Sequence, residues 1–225
     1  MHRLSRVRVW DLPTRLFHWS LALCFIGLLI TGTVGGPAMT FHFRFGFVML
    51  ALLLFRLVWG FVGGRWSRFG SFLFSPRTTI AYLKATSPSE QSVGHNPLGA
   101  LSVWALLAFL LFQVASGLVS DDEIAFAGPL THLVSNATVS FATGYHTEIG
   151  KWILIALVAL HLVAVVYYTR RQHRLVSAMI HGDKLMEPVS QPSRDDQTSR
   201  LVALFLFLLC AAVAYAVSTL QAPVF

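Results

Sequence analysis

Charge is what this sequence has least of. Asp, Glu, Lys and Arg make up 12 % of its 225 residues, about half the roughly 25 % of a soluble domain, and that deficit excludes an ordinary soluble fold. Cysteine is scarce as well. Cys24 and Cys210 fall inside apolar runs, form no CxxC motif and read as packing residues. There is no internal repeat and no low-complexity tract.

What is present is mostly hydrocarbon: 55 % of the residues are hydrophobic and the mean hydropathy is +0.64. Runs able to cross a bilayer, which takes about 20 apolar residues, are expected at 17–35, 44–64, 97–119, 148–168 and 201–220. The first of these is not read as a cleaved signal peptide, because it is long, contains His18 and lacks a small-x-small cleavage site.

The net charge of +7 is spread in a pattern that speaks against nucleic acid. Arg3, Arg6, Arg8 and Arg15 precede the first span or lie at its start. Arg65, Arg68, Arg77 and Lys84 follow the second, and Arg170, Arg171, Arg174, Lys184, Arg194 and Arg200 follow the fourth. Opposite them stand only Arg44 and Lys151. This asymmetry predicts a cytoplasmic N-terminus, an external C-terminus and contacts with anionic lipid. The expected organisation is a membrane domain over 1–185, a polar cytoplasmic linker over 186–200 and an additional transmembrane helix over 201–220.

Histidine carries the chemistry. The segment HTEIGKWILIALVALH has an imidazole at each end, His146 and His161, and an ionisable ring in lipid marks a functional site by default. Along an α-helix the two are about 22 Å apart with a net rotation of about 60°. Both therefore lie broadly on one face, His146 toward the outside and His161 toward the inside. His18 in the first span matches His161 in depth, and His42 in the second matches His146.

Two stacked His–His pairs, each drawn from two helices, fit bis-histidine ligation of haem: the inner haem on His18 and His161, the outer on His42 and His146. Polar anchors at the membrane surface and a transporter's proton relay are the other uses of such residues. Pairwise matching in depth favours haem over both. Zinc fits less well, since no Cys or carboxylate cluster accompanies the pairs.

Gly32, 14 residues after His18, and Gly60, 18 after His42, lie on the ligand faces and would let a haem approach. Gly46 and Gly150 each follow a ligand by four residues. Plain helix packing is the other use of such glycines. Arg56, 14 residues after His42, faces the same way near the inner pair, where a haem propionate could partner it or its side chain could snorkel to the headgroups. His2, His173 and His181 read as solvated. His95 reads as a helix cap or headgroup contact, and His132 as an external loop residue. Asp121, Asp122 and Glu123 form either a solvated helix end or a docking patch for a basic partner.

The segments RVWDLPTRLFHWSLAL, FRFGFVMLALLLFRLVWGF, GHNPLGALSVWALL and HTEIGKWILIALVALHLVAVVYY, taken in order, resemble the bacterial cytochrome b-561 type, a group that includes the cytochrome b subunits of nickel-iron hydrogenases. The resemblance covers residues 5–185. It implies a four-helix core binding two b haems and exchanging electrons with quinone and a protein partner. It also implies the pairing His18 with His161 and His42 with His146. The 15-residue spacing in the fourth span departs by about one residue from that of some members, which bears on the rotation of the outer haem.

The expected fold is all-α, a transmembrane four-helix bundle binding haem, with an additional C-terminal transmembrane helix. The expected function is electron transfer in the bacterial cytoplasmic membrane between quinone and a redox protein. That protein is expected to be a periplasmic c-type cytochrome or a dehydrogenase or hydrogenase subunit that this chain anchors. Arg56, Arg77 and His95 are the polar groups available to an inner quinone.

Overall fold

The computed structural model describes residues 5–84, 93–171, 174–186 and 191–220. In chain order these form strand β1 (Ser5–Arg8), helices α1 (Leu12–Val34) and α2 (Met39–Val62), the short α3 (Pro76–Leu83), α4 (Pro97–Leu118) and α5 (Asn136–Gly144). A π-helical turn over Tyr145–Gly150 leads into α6 (Lys151–Arg170), followed by the short α7 (Leu175–His181), strand β2 (Asp183–Met186) and α8 (Gln197–Ser218). Among the described residues, five helical stretches are long and apolar enough to cross a membrane: Leu12–Val34, Gly36–Val62, Pro97–Leu118, Asn136–Arg170 and Gln197–Ser218. The second is the most buried, at 44 % of its apolar window, so α2 is the helix that gives up most of its lipid-facing surface.

Four of these stretches start well before their apolar runs, and in three of them a capping side chain rather than hydropathy places the start. Asp11 accepts the Thr14 N–H at 2.8 Å and Pro13 sits in the first turn, so α1 begins at Leu12. Ser135 caps α5 through the Thr138 N–H, and the polar α5 then runs through the π turn into α6. The fourth stretch is therefore 35 residues long. The last begins at Gln197, after Asp196 accepts the Ser199 N–H at 2.7 Å. Between α1 and α2 the chain turns through Gly35 (φ 66°) and Gly36 (φ 52°), backbone conformations that side chains with a Cβ rarely adopt.

The chain divides into two compact units. The first comprises Met1–Phe17, Arg56–Ala105 and Ala159–Phe205; the second comprises His18–Phe55, Leu106–Val158 and Leu206–Phe225.

In the first unit β1 and β2 pair antiparallel, Ser5 opposite Met186 and Arg8 opposite Asp183. Val9, Trp10 and Ala178 form a small core there, with Trp66, Val93, Met179 and Met186 packed on it. The stretch expected as a linker is folded at both ends. Met186 ends β2, and Ser193 donates its N–H to Arg8 O and its hydroxyl to Val9 O, each at 2.7 Å. Trp66 Nε1 donates to Gln191 O at 3.1 Å. The polar side chains that resemble a tether are the partners of the chain leaving β1.

In the second unit Met49 and Leu53 are fully buried on α2, Phe55 meets Phe207 edge-on, and Phe43 lies 6.0 Å from Phe126. Cys24 and Cys210 are buried free thiols, in keeping with a packing role.

Candidate functional site

The second unit brings two of the four singled-out histidines together. His42 is the fourth residue of α2 and His146 lies in the π turn. Their ring centroids are 6.1 Å apart with planes at 89°. Two imidazole nitrogens sharing one metal at about 2.0 Å each would place the centroids roughly 6 Å apart. An edge-to-face contact between aromatic rings occupies the same range, so the distance alone does not separate the two.

The tautomers carry the argument further. His42 Nδ1 lies 3.1 Å from Leu28 O, and His146 Nδ1 lies 2.9 Å from Gln113 O. A carbonyl only accepts, so in both rings Nδ1 holds the proton and Nε2 keeps its lone pair. The hydroxyls nearby agree: Thr31 donates to Gly27 O and Ser116 to Gln113 O, so each is left to accept from the ring beside it. Two unprotonated Nε2 atoms on neighbouring rings are suited to one metal ion. Among the described residues no group of three or more His, Cys, Asp or Glu gathers to hold a bare ion. A metal here would have to bring its other ligands with it, as a haem iron does.

Glycines make room for both rings. A Cβ on Gly32 would stand 3.0 Å from His42 Cε1, and one on Gly117 would stand 2.7 Å from His146 Cε1. Gly32 thus seats the His42 imidazole, where haem approach was expected. A Cβ on Gly46 would meet nothing within 4 Å, so the His42 face of α2 stays open one turn on. Gly60 differs: the space its Cβ would fill is taken by the Phe69 ring, so this glycine serves aromatic packing in the first unit.

The π turn Tyr145–Gly150 overlaps the start of the His146–His161 interval and holds about one residue more than an α turn would. The Gln113 side chain grips this turn, donating from Nε2 to His146 O at 2.9 Å.

His18 is the seventh residue of α1, half-buried, with its ring 5.2 Å from that of Trp19. His161 is half-buried on α6. They belong to different units. Arg56 is only 4 % exposed, which excludes snorkelling, and its guanidinium lies 4.8 Å over the Phe69 ring and 6.0 Å over that of Phe72. Its Nη1 has no hydrogen-bond partner among the described residues. The Asp11 carboxylate is the nearby negative charge that acts on this guanidinium, and Nη1 keeps a donor to spare for an acidic group.

The remaining expectations resolve individually. His95 does not cap α4; Asn96 does, accepting the Gly99 N–H at 2.6 Å, while the His95 ring stacks on Trp10 and Phe72. Arg77 is exposed on α3, and His132 and His181 are exposed. His2 and His173 lie outside the described residues. Asp122 folds its own loop, accepting the N–H groups of Ile124, Ala125 and Phe126. The Phe126, Ala125 and Ile124 amides hold this carboxyl below its usual range.

Sequence reading missed Asp11, Gln113 and Gly117. Gln113 had a signal: a lone amide in the apolar run LLFQVAS answers to the same rule that picked out the histidines.

The profile of a family described as prokaryotic cytochrome b561 matches residues 9–182. The chain is 24 % identical over 214 residues to the probable Ni/Fe-hydrogenase 1 B-type cytochrome subunit of Escherichia coli K12, an alignment covering 77 % of this chain and 88 % of that protein. It is 24 % identical over 218 residues to a probable Ni/Fe-hydrogenase B-type cytochrome subunit of Rhodobacter capsulatus, covering 82 % and 83 %. It is 25 % identical over 226 residues to the similarly named protein of Azotobacter vinelandii, covering 83 % and 92 %.

Proposed function

The chain belongs to the prokaryotic cytochrome b561 family, and from that premise we propose that this multi-pass b-type cytochrome binds two haems and moves electrons between the quinone pool and a redox protein. The observation that carries the reading is the His42–His146 pair, 6.1 Å apart with both Nδ1 protons committed to main-chain carbonyls. That arrangement fixes both rings in the tautomer an iron requires and raises the donor strength of each Nε2. His18 and His161 are the residues the sequence offers for the second haem. Arg56 supplies the cation for a propionate, and Gly32 and Gly117 seat the rings. Haem bound by two imidazoles supplies one-electron chemistry at a closed iron.

The basic residues around β1, α3 and α7 set the N-terminus in the cytoplasm of a bacterial inner membrane. The names of the relatives favour a second form of the reading, in which the protein partner is a hydrogenase that this chain serves as membrane subunit. A basic c-type cytochrome docking on Asp121–Glu123 is less favoured, because Asp122 is committed to its own loop.

Visible spectra of the detergent-purified protein, oxidised and dithionite-reduced, test the proposal. The expected result is a sharp low-spin b-type band and about two haems per chain, with His42→Ala and His146→Ala each removing the same haem. Colourless protein that takes up no added haem would overturn it. Reduction of the purified chain by a quinol reports quinone exchange, and reduction by hydrogen gas in membranes alone reports the hydrogenase partner.

A further inference from the structure

We infer that Gln113 is a positioning residue for the outer haem ligand His146, acting from α4 on the π turn. The inference rests on His146 being a ligand, as proposed above.

Three contacts converge. The Gln113 carbonyl accepts His146 Nδ1–H at 2.9 Å. Its side-chain Nε2 donates to His146 O at 2.9 Å. Its Oε1 fills the space over Gly150, where a Cβ would collide with it and with the Tyr145 ring. One residue thus holds both the ring and the backbone of His146, and it does so where the helix is wider than an α-helix. A π turn surrounded by α-helix is a local departure that needs support. Gln113 provides it from the neighbouring helix, and Gly117 one turn later leaves the gap through which the ring reaches the carbonyl.

The chemical consequence follows from the shared carbonyl. A hydrogen bond from Nδ1–H makes the opposite nitrogen a stronger donor, and a stronger donor favours ferric over ferrous iron. Loosening the π turn weakens that hydrogen bond and raises the midpoint potential of one haem only. Gln113→Met keeps the length of the side chain and removes its donor, leaving the backbone carbonyl in place.

The test begins with haem content of the wild-type protein, so a failure of the parent reading is seen before any variant is made. Low-spin EPR spectra and redox titrations then compare wild type, Gln113→Met and Gly150→Ala. The second variant presses first on Gln113 Oε1 and the Tyr145 ring. The expected result is a displaced low-spin signal and an upward shift in potential for the same haem in both variants, the one lost in His146→Ala, with the other haem unchanged. If Gln113→Met fails to fold, Gly150→Ala alone decides. Signals and potentials that superimpose on wild type in a folded variant that retains its haem would overturn the inference, and so would equal shifts of both haems.

Discussion

A carboxylate with no exposure to solvent must find every partner inside the protein, and Asp11 finds four. Its Oδ1 accepts Thr14 N–H at 2.8 Å and Trp59 Nε1–H at 3.2 Å; its Oδ2 accepts Gly64 N–H at 3.2 Å and the Ser67 hydroxyl at 2.6 Å. One side chain caps α1 and ties it to the end of α2 and the turn beyond. Asp11→Ala removes the cap and strands three buried donors, a loss of about 3–5 kcal/mol. Thermal denaturation in detergent should show a large fall in Tm for this variant, and an unchanged Tm would refute the account. Asp11 stands in the sequence as one polar letter in RVWDLPT, and only its burial reveals that the donors converge there. The same limit applies to Gly32. Helical phase names a direction for Gly32 and not the neighbour that fills it, which is the His42 ring.

At the scale of elements, all five spans were legible from hydropathy because a bilayer demands length and apolarity and little else. The starts of α1, α5 and α8 were not, since capping residues lie outside the apolar window. The β1–β2 ribbon was also hidden: two four-residue strands, each with charged residues, carry no alternation to read. The ribbon is anchored by Lys184, whose Nζ donates to Val93 O at 2.9 Å and Gly94 O at 3.2 Å. Burial pulls this ammonium down from 10.5 to about 8. Below pH 8 both folded and unfolded chains carry the proton, and the folded state bears the cost of the buried charge. Between about 8 and 10.5 only the unfolded chain still binds it, so stability rises with pH across that window and then levels off. Lys184→Met should abolish the rise. Measuring Tm at pH 7 and pH 10 gives the comparison: the wild type gains on the variant by several degrees at the higher pH. A difference between them that is constant with pH would count against it.

Over the whole molecule, the basic residues do two jobs where the sequence displays only one. Arg8, Arg15 and Arg200 count toward the asymmetry that orients the chain, yet all three converge on Asp195. Arg8 Nη1 lies 2.7 Å and Arg200 Nε 3.0 Å from its carboxylate, Arg15 Nη2 lies at 3.8 Å, and the Leu12 N–H adds a fourth contact at 3.1 Å. Burial alone would raise the Asp195 carboxyl. The Arg200 and Leu12 hydrogen bonds and the charges of Arg200 and Arg8 outweigh it and hold the group below its usual range. The start of the last helix is therefore attached to the start of the first through a residue that composition assigns to a polar linker. A helix serving only as lipid padding would need no such clasp, whereas one belonging to the folded core does. Asp195→Ala leaves Arg15 and Arg200 without their carboxylate and the Leu12 amide without its acceptor, while Arg8 keeps Asp183 at 2.7 Å. Because two of the arginines are partly exposed, the expected loss is about 1–3 kcal/mol. It should appear as a lower Tm with haem per chain unchanged, since the groups that Asp195 holds are Arg8, Arg15, Arg200 and the Leu12 amide. If Asp195→Ala kept its Tm, the contacts would be an idle surface network. If it lost haem at unchanged Tm, the clasp would act on a ligand helix rather than on the fold.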